Sequence, residues 1–150
     1  MNKKGFTLGE IMIVIGIMVL LAGLTSYSFV DFSNYQSLDN DSYTALSYIQ
    51  KARSLASNSY NFSEYGVRVS STSLSVFQGK TYSPASTTLM FNFSSKVIVS
   101  SIALSNSSTE FYFNKVTGKS NATGTITFKL NNGTTTKNII INSTGLPEIQ

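Results

Sequence analysis

Lys3-Lys4-Gly5-Phe6-Thr7-Leu8-Gly9-Glu10 leads into residues 11–30, twenty positions without one charged side chain. Twenty helical residues at about 1.5 Å each span about 30 Å, the thickness of a bilayer's hydrocarbon. The run therefore predicts a transmembrane helix. Its apolar pattern begins at Phe6, which places Glu10 inside the helix rather than ahead of it. An ionised side chain deep in a bilayer costs about 2.5–3.5 kcal/mol even on lenient insertion scales. A carboxylate kept there implies a partner, because paired charges are less costly in hydrocarbon than either alone. Lys3 and Lys4 before the run, with Asp31 after it, orient the N-terminus toward the cytoplasm. The expected location is the cytoplasmic (inner) membrane, single-pass, with everything after residue 30 outside.

The same residues resemble the class III signal of type IV pilins and pseudopilins. In that family a short basic leader ends in Gly, and an inner-membrane peptidase cuts behind it and N-methylates the new terminal residue. The resemblance implies cleavage between Gly5 and Phe6, methylation of Phe6, and Lys3 and Lys4 as the leader charge. Glu10 becomes the fifth residue of the mature chain, and its implied role is assembly, neutralising the terminal amine of a neighbouring subunit. The implied partners are the prepilin peptidase/methyltransferase, other pilins or pseudopilins in a filament, an inner-membrane assembly platform and membrane lipid. Gly9 departs from the pattern, since the family usually has a larger apolar residue there. An ordinary secretory signal is the competing reading. Its apolar segment of about 7–15 residues is shorter than this run, and it leaves Glu10 without a purpose.

Beyond residue 30 the helical period continues. Tyr35, Leu38, Ser42, Ala45, Ile49, Ala52 and Ala56 recur at steps of three and four, a single stripe on a helix. Leu46 and Leu55 widen it to the breadth of a helix packing on a domain. Asp39, Asp41, Lys51 and Arg53 fall away from it, toward solvent. The polar Ser57-Asn58-Ser59 signals the helix end.

After Tyr60 the period changes to two. Val67 and Val69 alternate with Arg68 and Ser70, and Leu74 and Val76 alternate with serines, with a turn at 71–73 between. Leu89, Phe91 and Phe93 form a further set, then the run 97–104, then Phe111 and Phe113. Ile126, Phe128 and Leu130 lead to Asn131-Asn132-Gly133, where Asn-Gly is expected to supply the positive φ of a tight hairpin. Leu146-Pro147-Glu148-Ile149 reads as an extended tail. The prediction is one antiparallel sheet with one face on the helix stripe and the other wet. Ala52-Arg53-Ser54-Leu55-Ala56, the hairpin starting Tyr65-Gly66-Val67-Arg68-Val69, and the glycine-punctuated C-terminal strands are similar to the GspH/FimT group of minor pseudopilins.

The chain has 150 residues, eleven basic and seven acidic, with no His and no Cys. Usual bases, nucleophiles and soft metal ligands are therefore missing, so no catalytic residue, cofactor or metal site is assigned. Asp39 and Asp41, two apart, cannot face one another on a helix. Basic residues are scattered, and Lys115, Lys119, Lys129 and Lys137 form only a loose group. Nucleic-acid binding is possible but not favoured. Of the ring cluster Phe111-Tyr112-Phe113, two rings point inward and Tyr112 alone is left on the outer face. Asn-x-Ser/Thr triplets at Asn61, Asn106 and Asn142 arise readily in so Ser- and Thr-rich a chain.

The expected fold class is α+β: a long N-terminal transmembrane-plus-amphipathic helix packed on a C-terminal antiparallel β-sheet head, as in pilins. The expected divisions are a leader at 1–5, a transmembrane and assembly segment at 6–30, an amphipathic continuation at 31–59 and a β-rich head at 60–150. The expected function is non-enzymatic: a minor pseudopilin of a type II secretion pseudopilus or related type IV filament. The alternative is a type IV pilus minor pilin acting in DNA uptake or adhesion.

Overall fold

The computed structural model describes residues 5–150, and the side chains of 24–30 lie outside the described residues. Lys3 and Lys4 lie outside them too. The chain divides into two compact units, Met1–Asn34 and Tyr35–Gln150. Helix α1, Leu8–Ser57, contributes to both.

The first unit corrects the membrane expectation. Among the described residues no helix is long and apolar enough to cross a membrane. Residues 8–23 are the fully described helical part of the predicted span. The rest of the predicted span, 24–30, falls where side chains lie outside the described residues. A single-pass helix, and the inner-membrane location inferred from it, are therefore withdrawn.

The second unit corrects the architecture. Only the helical stretch 35–57 belongs to it, so what packs on strands is a short amphipathic helix rather than a long transmembrane one. It is followed by β1 (Tyr65–Val69), β2 (Ser73–Gln78), β3 (Thr87–Asn92), β4 (Val97–Leu104), β5 (Glu110–Phe113), β6 (Gly124–Leu130), β7 (Thr136–Ile141) and β8 (Pro147–Ile149). These strands form two four-stranded antiparallel sheets, in the orders β3-β2-β1-β5 and β4-β6-β7-β8, where one sheet was expected. Alternation specifies which residues share a face but not which strand lies alongside, so the split was invisible to periodicity.

Six of the seven stripe residues, Leu38, Ser42, Ala45, Ile49, Ala52 and Ala56, are buried, while Tyr35 is half exposed. Four of the six are Ala or Ser, which lets the helix axis approach the strands closely. Their partners are the inward sets Val67, Val69, Leu74, Val76, Phe111 and Phe113 from the first sheet, and Val97, Val99, Ile126, Phe128, Ile139 and Ile141 from the second. All belong to one continuous apolar cluster. The sheets are also joined by backbone: Val99 N–H on β4 donates to the carbonyl of Ser71, in the β1–β2 turn, at 2.9 Å. β4 is an edge strand of its sheet, so N–H groups on its outer edge are free to make such a bond.

Three local expectations change as well. Between β6 and β7 the chain takes a wider connection over 131–135, and Gly133 does not adopt positive φ. Leu130 caps that turn by accepting the Gly133 N–H at 3.2 Å. The 146–149 tail is in fact paired: β8 is an edge strand on β7, with Pro147 at its first position, where a missing N–H is tolerated. On β2, Ser75 and Phe77 are buried as well as Leu74 and Val76. Phe77 is covered because its cross-strand neighbour is Gly66, and the ring lies over the space a Cβ would fill.

Candidate functional site

Gly5 and Phe6 precede α1, and Phe6 is 85% exposed. Thr7 forms the helix start. Its backbone N–H donates to Glu10 Oε2 at 2.8 Å, its hydroxyl reaches the same oxygen at 3.0 Å, and the Glu10 N–H donates back to Thr7 Oγ1 at 3.3 Å. This is a reciprocal capping box. The Thr7 N–H, and to a smaller extent the Thr7 hydroxyl, hold the Glu10 carboxyl below its ordinary range. The anion also sits in the first turn, where the helix dipole favours it.

Glu10, expected to have a partner, finds one in its own first turn in the Thr7 N–H and hydroxyl. The helix begins at Leu8, two residues later than expected, and Glu10 closes its first turn. Thr7-Leu8-Gly9-Glu10 has the capping-box spacing, so the signal was present in the sequence. From Leu8 to Leu21 the large apolar side chains are between 47% and 81% exposed, on every side of the helix.

In the second unit, α1 is fastened along its length by polar contacts that its stripe did not announce. Asp39 pairs with Lys137 of β7 at 2.9 Å, and the Lys137 ammonium lies 5.3 Å from the centre of the Tyr43 ring. Asp41, expected in solvent, is buried and accepts the backbone N–H of Ser94 at 2.7 Å. At the helix end the Ala56 carbonyl accepts the N–H of Val116, from the β5–β6 connection, at 3.1 Å. Lys137, one of the loose group of four lysines, is thus paired with Asp39. Among the described residues no three His, Cys, Asp or Glu side chains gather as metal ligands would.

The outer face of the first sheet holds residues that sequence reading did not bring together. Phe111 and Phe113 point inward as expected, while Tyr112 stands across from Gly66 on the outer face, with Lys80 Nζ 5.7 Å from its ring centre. Farther along that face, Tyr82 meets Phe77 edge-on at 5.6 Å and carries the Arg68 guanidinium 4.4 Å from its ring centre. Beside them is a cavity of about 220 Å³ lined by Arg68, Ser70, Ser73, Ser75, Tyr82 and Met90. The pairings Arg68–Ser75 and Ser75–Met90 place three of these in one row across β1, β2 and β3.

No protein-family model matches the chain, and neither a curated protein nor a solved structure matches it.

Proposed function

We propose that this chain is a structural subunit of a type II secretion pseudopilus or related type IV filament, in the manner of a minor pseudopilin. The observation that carries the reading is the apolar surface of α1 between Leu8 and Leu21, exposed on every side. A helix apolar all round is stable only when something buries it. With no membrane-crossing helix among the described residues, the cover this reading supplies is the matching helices of other pilins or pseudopilins in a fibre core. On this reading a prepilin peptidase cuts after Gly5 and methylates Phe6, and an assembly platform delivers the subunit to the fibre. Glu10 then exchanges its own first-turn donors for the terminal amine of a neighbour, an ion pair that sets axial register.

The test separates the charge of Glu10 from its cap. Gln can occupy the third position of a capping box, so Glu10→Gln keeps the first turn while removing the anion. The variant is expected to be cleaved after Gly5 normally, by intact mass, yet to be missing from sheared or cross-linked filaments. Normal incorporation of Glu10→Gln would sink the amine-pairing role. Loss of specific exported proteins from a strain lacking the gene, restored on complementation, assigns the filament to secretion.

A further inference from the structure

Among the described residues, the cavity on the outer face of the first sheet is lined by Arg68 and three serines whose side chains show no ion pair or hydrogen bond within the protein. Among the described residues the Arg68 guanidinium has no ion pair. Glu110, its cross-strand neighbour on β5, does not reach it within 4.0 Å. The guanidinium lies over the Tyr82 ring, 4.4 Å from its centre, and among the described residues no hydrogen bond from it is seen. Tyr82 is itself held edge-on by Phe77, which is fully buried. Ser75 is only 6% exposed and borders the cavity. Ser70 and Ser73 add two further free hydroxyls at the rim, and Met90 adds an exposed apolar wall.

From this arrangement we propose that the cavity binds one acidic sugar unit, a uronic acid ring carrying a carboxylate. The free N–H edge of Arg68 matches a carboxylate in bidentate fashion. Three serine hydroxyls, each able to donate and accept, match the hydroxyls of a pyranose. The Met90 thioether offers a soft apolar surface to the ring's C–H face. Size agrees: the cavity is below the about 300–1,000 Å³ of drug-sized pockets, which suits a single ring. Inorganic phosphate satisfies the guanidinium but leaves Met90 and the deeper Ser75 hydroxyl unused. The site faces away from the apolar cluster and does not depend on how α1 is covered, so it stands apart from the filament reading.

The full chain, isotope-labelled, would be titrated with D-glucuronate and D-galacturonate, and in parallel with D-glucose and inorganic phosphate. Saturable shifts confined to Arg68, Ser75 and Met90 with a uronate, and none with glucose, are expected. Arg68→Gln is expected to weaken uronate binding about tenfold or more, the loss of a charge-assisted pair. Met90→Ala, at a half-exposed position that leaves the fold alone, is expected to weaken it by a smaller factor. The proposal is overturned by an absence of saturable shifts with either uronate, by glucose binding as well as glucuronate, or by phosphate binding equally well. Uronate affinity unchanged in both variants overturns it too.

Discussion

Asp41, on a helix, and Ser94, fifty-three residues later in the β3–β4 connection, are joined by a 2.7 Å hydrogen bond from the Ser94 backbone N–H to the Asp41 carboxylate. The carboxylate is buried, and its acceptance of an N–H is what allows the chain to turn from the first sheet into the second against the helix. Hydrogen bonds to a charged group contribute about 1.5–3 kcal/mol, and the orphaned N–H would be partly buried. Asp41→Ala is therefore expected to destabilise the protein by about that amount, while Asp41→Asn, which keeps an acceptor, loses less. Chemical denaturation of the two variants checks the order. Equal losses, or none, would show that the bond is incidental to the turn.

Gly66 is required by the ring across from it. A Cβ there would overlap three atoms of the Phe77 ring, all within 3 Å. Overpacking of this kind costs about 1–3 kcal/mol, so Gly66→Ala should lower the denaturation midpoint. Combining it with Phe77→Leu, which vacates the overlap, should cost less than the sum of the two single changes. Strict additivity in that double-mutant cycle would refute the steric account.

Val116 has φ of +68° and is 71% exposed. A left-handed backbone costs an L residue about 1–2 kcal/mol, and a β-branched one is the worst placed. The conformation is held because the Val116 N–H caps the Ala56 carbonyl at the end of α1. Val116→Gly preserves that donor and removes the strain, so a gain of about 1 kcal/mol is expected. Melting curves showing a less stable variant would mean that the exposed side chain contributes packing not evident from its surroundings.

The Thr7–Glu10 box makes a pH-dependent helix start. The Glu10 carboxyl titrates below its unfolded value, so its contribution is complete above that value and fades as pH falls through the depressed one. Thr7→Val removes the hydroxyl contact, and the Glu10 carboxyl should then titrate at higher pH, followed by its carbon resonance. An unchanged titration would leave the backbone N–H as the sole determinant.

Much of the second unit was readable from one chain of letters. The stripe on residues 38–56 and the inward residues of each strand follow from periods of 3.6 and 2, because burying one face is the main local demand on a helix or strand. Asp41 was misassigned on residue type: at 3.6 residues per turn it lies only about 20° from Ala52, within the stripe, and the Ser94 N–H it accepts makes its burial favourable. Glu10 has a local partner that the sequence also carried. Its length of apolar neighbours suggested a bilayer, whereas three residues back stood the hydroxyl that closes the helix with it.

By itself, then, the sequence determined which residues seek the interior, where the helix pattern yields to strands, and that Thr7 and Glu10 have the spacing of a cap. Those are consequences of local geometry and of apolar surface leaving water. Tertiary structure alone decided that the strands part into two sheets, that Asp41 is buried, and that Arg68, Ser75, Tyr82 and Met90 gather around one cavity. Strand partners are chosen by the free energy of the whole packed cluster, and no local period in a sequence encodes which neighbour wins.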